Sequence, residues 1–285
     1  MTRTSWHVRE RSIDLGARTC VMAVLNVTPD SFSDGGRYID PEAAIARARV
    51  MLEEGADIID IGGESSRPGA EPVSPHEELR RVLPVVRALA GIPEITLSID
   101  TTKAEVADAA LAAGAHIVND ISGLAGDPGM LEVIRRHRAG AVIMHMQGSP
   151  GTMQHDPRYV DVVAEVSEFL HDRVAAATAR GIDASSLVID PGIGFGKTLE
   201  HNIALLKGIR VLRESAGRPV LIGVSRKRFL GAITGRDVGD RLAAGLGAAA
   251  FAIMQGASVM RVHDVKESCD LARMIDRLNR QQVFA

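Results

Sequence analysis

Short apolar runs recur along the chain, each closing on a polar or glycine cluster and leading into a stretch of helical character. They are CVMAVLNVT (20–28), ADIIDIGG (56–63), ITLSIDT (95–101), AHIVNDIS (115–122), AVIMHM (141–146), LVIDPG (187–192), PVLIGVS (219–225) and ASVMRVHD (257–264). Continuous aliphatic runs, rather than strict alternation, are the pattern of strands covered on both faces. Between them, PEAAIARARVMLEEGA (41–56), KAEVADAALAAGA (103–115) and YVDVVAEVSEFLHDRVAAATARG (159–181) read as amphipathic helices ending at or beside glycines. Pro41 behind Asp40 is a helix start of the usual kind, an N-cap followed by a residue that needs no donor. Eight such units, with no linker or break in composition, predict a (β/α)8 TIM barrel spanning 1–285 as one domain, in preference to an open doubly wound sheet. Residues 1–18 precede the first unit and are expected to form a short hairpin at the barrel bottom.

A barrel of this kind carries its chemistry at the C-terminal ends of the strands. Three strand-to-helix loops there are unusually long, 28–40, 62–75 and 147–158. Loops near a dozen residues are uncommon without a purpose. The strand ends offer Asn26, Asp60, Asp100, Asn119, Asp120, His145, Asp190, Ser225, Lys227, Arg261 and His263. Arg261 and His263 are two apart on one strand and therefore share a face. Taken singly, each residue has a plainer reading: a strand-terminal Asp as a turn or cap residue, His145 as a structural histidine, GIGFGK (192–197) as a tight turn. Together they form a set of carboxylates, amides and cations whose unpaired burial would cost several kcal/mol apiece. Arg67, Arg261 and His263 suit an anion such as diphosphate. Asp100, Asn119, Asp190 and Lys227 suit the donor and acceptor edge of a flat heterocycle.

The bulk composition narrows the partners. The 285 residues are 46% hydrophobic and 24% charged, with a net charge of −3, which provides no electrostatic case for nucleic acid or an anionic membrane. Aromatics at 3% are too few for a row of base-stacking platforms. LAAGLGAAAFAIMQ (242–255) falls short of the ~20 residues a membrane helix needs and suits close helix packing. Cys20 and Cys269 lie in apolar patterns and read as buried thiols in a cytoplasmic protein. No HExxH, CxxC or dense histidine cluster suggests a tightly held zinc.

VLNVTPDSFSDGG, IDIGGESSRPGA, SIDT, VNDISG, MHMQGSPGTMQ, IDPGIGFGKT, SRKRFLG and RVHDV, in order and one per strand, resemble the dihydropteroate synthase family from about residue 20 to about residue 270. The resemblance implies a dimeric TIM barrel and a transferase of folate biosynthesis. Such an enzyme joins 6-hydroxymethyl-7,8-dihydropterin diphosphate to p-aminobenzoate with Mg²⁺ present, giving 7,8-dihydropteroate and diphosphate. It implies a pterin pocket of Asp100, Asn119, Met144, Asp190, Gly223 and Lys227, and a diphosphate site of Asn26, Arg67, Arg261 and His263, with Asn26 also on Mg²⁺. Ser66, Arg67, Pro68, Phe195, Ser225 and Arg228 would surround p-aminobenzoate, where sulfonamides compete in this family. Phe32 and Asp34 would contribute from the first loop. Asp100, Asp190, Lys227, Arg261 and His263 would act on a dissociative, cation-like transition state. Two positions depart from many relatives: Ser66 stands where threonine is common, and Arg228 where several have serine. A pterin-binding methyltransferase and a catalytically silent pterin binder are the competing functions.

Overall fold

The computed structural model describes residues 4–28, 41–65 and 69–279. Phe32, Asp34, Ser66, Arg67 and Pro68 lie outside the described residues. Among the described residues eight parallel strands make one sheet: β3 Cys20–Asn26, β4 Ile58–Gly62, β5 Thr96–Asp100, β6 Ile117–Asp120, β7 Gly140–Met144, β8 Leu187–Asp190, β9 Leu221–Ile222 and β10 Val259–Val262. Their order is β8-β7-β6-β5-β4-β3-β10-β9. The two ends meet through one parallel bridge, Ile189 to Val220, where Ile189 N donates to Pro219 O at 3.0 Å. That bridge closes the TIM barrel. Strand β9 is shorter than the apolar run 219–225, because Gly223 and the residues after it turn into the loop beyond.

The helices are α1 Pro41–Glu53, α2 Pro75–Ala90, α3 Ala104–Ala112, α4 Met130–His137, α5 Val162–Ala179, α6 Leu199–Lys207, α7 Ile209–Ala216, α8 Arg228–Thr234, α9 Leu242–Met254 and α10 Val265–Asn279. Helix α5 starts later than the periodicity from residue 159 predicts. Asp161 caps it by accepting from Val163 N and Ala164 N, and the Glu165 carboxylate accepts from Val160 N, which pins the residues before it outside the helix. A break at Gly208 splits the segment before β9 into α6 and α7. A side chain there would stand 2.9 Å from Val163 Cγ1, so only glycine lets this turn press on α5.

Residues 5–14 do form the hairpin, β1 Ser5–Val8 with β2 Arg11–Asp14. It plugs the barrel floor. Trp6 is fully buried and donates from Nε1 to Ser186 O at 2.8 Å, while Gly140 leaves room for Val8, whose Cγ1 would be 2.4 Å from a Cβ. Above this plug the strands' inward positions are Met22, Ile58, Ile117, Val142, Val188, Leu221 and Val259, one apolar cluster with Trp6. Strand alternation then dictates the next inward residues: Val24, Asp60, Ser98, Asn119, Met144, Asp190, Gly223 and Arg261. The interior is apolar at the floor and polar at the mouth. The helix-facing sides of the same strands form a separate, larger apolar layer against the helices.

Candidate active site

Parallel pairing sets a row across the barrel mouth. Asn26 pairs with Gly62, Gly62 with Asp100, and Asp100 with Asn119. A Cβ on Gly62 would lie 3.6 Å from both Asn26 Oδ1 and Asp100 Cβ, so the glycine lets these polar side chains converge above it. On the opposite wall Met144 pairs with Asp190, and Gly223, Arg261 and His263 complete the ring. A cleft open to solvent lies against this ring. Asn119, Met144, Asp190, Phe195, Gly223, Ser225, Lys227, Arg261 and His263, all expected at the site, line it together with Val24, Ile121 and Ile193. Neither Asn26 nor Asp100 lines it; Asp100 is tied to it through Arg261, and Asn26 stands beside Asp100 over Gly62. Arg228 begins α8, is exposed, and does not line this cleft.

The charges are interlocked. Arg261 donates from Nε to Asp60 Oδ2 at 2.7 Å and from Nη2 to Asp100 Oδ2 at 2.6 Å. Burial works against the Arg261 charge, but Asp60 and Asp100 outweigh it and hold the guanidinium charged. Burial pushes the Asp100 carboxyl up to about 7 against the pull of Arg261, with Asp60 adding to the rise. Burial also raises Asp190, whose Oδ1 accepts from Gly192 N at 2.7 Å. Lys227 is lowered to about 8 by burial and by Arg261, and its Nζ sits 4.0 Å over the Phe195 ring. His263 is lowered to about 4 by burial, then by Arg261 and Arg226, and its Nδ1 is 3.1 Å from Ser225 Oγ. The cleft therefore presents the Asp190 carboxylate, a guanidinium fixed by Asp60 and Asp100, and an imidazole that burial and neighbouring cations keep neutral.

One loop supports this wall from outside. Gly192, Gly194 and Gly196 all have positive φ; a Cβ on Gly192 would stand 1.9 Å from His145 O, and one on Gly196 would stand 2.6 Å from Gln147 O. Ile193 and Phe195, between the glycines, both face the cleft, while Lys197 after the last glycine turns into the protein. Lys197 Nζ donates to Phe195 O at 2.8 Å and lies 3.0 Å from His145 Nδ1. Burial lowers Lys197 to about 7, and burial followed by Lys197 lowers His145 to about 3. His145 is thus a packed histidine, with its ring edge against Phe169 at 4.8 Å, as its plainer sequence reading has it. The sequence reading assigns no role to Asp60 or Lys197. A single carboxylate inside the apolar run IIDIG was the available signal for Asp60, since a charge there needs a partner. For Lys197 the signal was a lysine closing a triple-glycine turn.

Mg²⁺ keeps several waters and takes only one or two protein oxygens alongside substrate phosphates. Among the described residues no three His, Cys, Asp or Glu side chains converge on a metal-sized point. Asn26 presents its Oδ1 oxygen over Gly62 beside Asp100, a donor of the right kind for a metal shared with a phosphate ligand.

Residues 22–263 match the family described as pterin binding enzyme. The chain is 45% identical over 272 residues to the dihydropteroate synthase of Synechocystis sp., covering 95% of this chain and 94% of that protein. Among solved structures it is similar to the dihydropteroate synthase of Xanthomonas albilineans with 4-aminobenzoic acid, at 46% identity and TM-score 0.90 over 97% of this chain and 98% of that one. It is also similar to the dihydropteroate synthase of Yersinia pestis in complex with a sulfonamide drug, at 43% identity and TM-score 0.89 over 96% of this chain and 98% of that one.

Proposed function

This chain belongs to the pterin-binding enzyme family, alongside its dihydropteroate synthases, and from that premise we propose that the cleft joins p-aminobenzoate to 6-hydroxymethyl-7,8-dihydropterin diphosphate, releasing diphosphate and 7,8-dihydropteroate. The observation that carries this reading is the meeting of Asn119, Asp190 and Lys227 with Arg261 and His263 around one cleft. A hydrogen-bonding edge and an anion site are both needed for a heterocycle bearing a diphosphate tail.

Asp100, Asn119, Asp190 and Lys227 hold the pterin edge, and Met144 and Gly223 leave a flat slot for the ring. Arg261 and His263, with Asn26 and Arg67, meet the diphosphate. His263 is neutral in the empty site, and a polyanion beside it favours the imidazolium, so it gains a proton as the leaving group arrives. Bound Mg²⁺, held by Asn26 with the diphosphate, would neutralise charge on the leaving group. The C–O bond to diphosphate breaks first, and its electron pair departs with the diphosphate. The exocyclic methylene is left as a cation conjugated with the ring, which Asp100 and Asp190 stabilise. The arylamine nitrogen then bonds to that carbon and loses a proton to solvent water. Preorganised groups of this kind each contribute roughly 3–4 kcal/mol to lowering such a barrier. Phe195 and Ser225 form the p-aminobenzoate side; Ser66, Arg67, Pro68, Phe32 and Asp34, which the resemblance assigns to that substrate, lie outside the described residues, and the exposed Arg228 stands off the cleft. Sulfonamides compete on that side.

The chain works as a cytoplasmic homodimer in this reading. No described helix is long and apolar enough to cross a membrane, and α8 and α9 expose Ile233, Leu242, Phe251 and Met254 for a second copy to cover. The test of function is turnover with pterin diphosphate, p-aminobenzoate and Mg²⁺, followed by diphosphate release. Release that requires both substrates is expected. Tight pterin binding with no release sinks the proposal.

A further inference from the structure

We propose that Asp60 is a positioning residue that sets the hydrogen-bond polarity of the pterin pocket, turning the Asn119 carbonyl toward the ligand and fixing the plane of Arg261. This rests on the reading of the cleft as a pterin site.

Asp60 is fully buried in the middle of β4, one inward position below Gly62. It touches the cleft only through its neighbours and is not among the residues lining it. Two donors converge on a single oxygen: Arg261 Nε at 2.7 Å and Asn119 Nδ2 at 3.0 Å from Asp60 Oδ2. An Arg Nε can only donate, so Oδ2 is an acceptor, and the end of the Asn119 amide that faces it must be the amino end. The Asn119 carbonyl oxygen is then the end left for the cleft. An amide carbonyl there selects a ligand edge that carries N–H groups, such as the amino-pyrimidine edge of a pterin, and disfavours one that carries only acceptors. The same contact, with Asp100 on Nη2, holds the guanidinium at two points and leaves Nη1 uncommitted to either carboxylate. The other Asp60 oxygen, Oδ1, has no partner among the described residues, so no competing donor diverts the carboxylate from these two tasks.

The test separates the acceptor from the bulk. In Asp60→Asn the amide oxygen can take the place of Oδ2 and accept from both Arg261 Nε and Asn119 Nδ2, with its amino group at the unpartnered Oδ1 position, so Asn119 keeps its orientation. In Asp60→Leu no acceptor remains, and neither the Asn119 amide nor the plane of Arg261 is held. Binding of 6-hydroxymethylpterin is measured by fluorescence titration for wild type and both variants, alongside melting temperatures without ligand. Affinity about tenfold or more below wild type is expected for D60L, the size of one lost hydrogen bond that leaves a mismatched group. Most of that loss is expected to return in D60N. A residue that merely fills space would give D60L the affinity of wild type, and that result, or a D60N no tighter than D60L, overturns the proposal. Should D60L fold too poorly to titrate, D60N alone carries the test: an affinity about tenfold or more below wild type would show that the charge and not the acceptor sets the pocket, and overturns the proposal. The wild type separates this from the functional reading, since a stable wild type that ignores the pterin refutes the pocket's assignment, whereas a D60L that binds as wild type does refutes only the positioning.

Discussion

Asp190 shows how a single residue is committed by its surroundings. One of its oxygens accepts from Gly192 N, which anchors the carboxylate against the cleft it lines, and burial raises its pKa. Asp190→Asn keeps the shape and removes the charge. A charge-assisted hydrogen bond contributes about 1.5–3 kcal/mol, so pterin affinity is expected to fall roughly 10–100-fold with the melting temperature little changed. Titration calorimetry checks this, and unchanged affinity removes Asp190 from the pocket. Asp100 supplies a pH dependence. Burial raises its pKa to about 7 in the empty site, so lowering the pH through 7 converts it from the ionised form, which stabilises the cation, to the neutral acid. kcat/KM reports free-enzyme ionisations and is expected to fall about tenfold per unit below pH 7. In Asp100→Asn the rate should be low throughout and that limb of the profile absent. The linked stability effect has the opposite sign. The folded protein binds this proton more tightly than the unfolded chain, whose value is near 4, so Asp100 lends stability at low pH that is lost as the pH rises from about 4 to about 7.

At the scale of an element, the loop 191–197 is the part of the site whose design is clearest. Three glycines at alternate positions press the backbone onto its neighbours, and the side chains divide the work: Ile193 and Phe195 face the cleft, and Lys197 after the last glycine reaches back to His145. Lys197→Met removes the donor that holds the Phe195 carbonyl. Phe195 carries Lys227 over its face, so the variant is expected to raise the KM for p-aminobenzoate several-fold while kcat changes less; steady-state kinetics with each substrate varied checks it. A rise confined to the pterin KM would show that the lysine serves the other wall. The loop was visible in the sequence as GIGFGK, and its reading as a tight turn was correct as far as it went. What the string could not reveal is that the turn is a brace, because His145, to which it is fastened, lies 52 residues away.

The whole molecule depends on closure. Its sheet is joined at β8 and β9 by one bridge, and the hairpin below fills the floor through Trp6. Removing a fully buried tryptophan usually costs about 3–5 kcal/mol, so Trp6→Ala should lower stability by that order in urea denaturation while leaving the distant cleft able to turn over at low temperature. Loss of activity at a temperature where the variant remains folded would show that the floor and the mouth are coupled.

The eight strand–helix units, the hairpin and the polar residues at the strand ends were legible from residues 1–285 alone, because they follow from periods of 2 and 3.6 and from local caps and glycines. The break at Gly208 and the late start of α5 were not, since a packing contact with Val163 and a pair of capping carboxylates decided them. Alternation along each strand put Arg261 and His263 on one face, but which face looks into the barrel was decided only by the closed sheet. Tertiary structure alone decided who shares with whom. Asp60 meets Arg261 across 201 residues of chain and Asn119 across 59, and no local pattern encodes such a meeting. Burial then changes the chemistry: in water Asp100 is an ordinary carboxylate and Lys197 an ordinary ammonium, and only the closed barrel, by excluding solvent and imposing neighbours, brings both to the edge of ionisation near neutral pH.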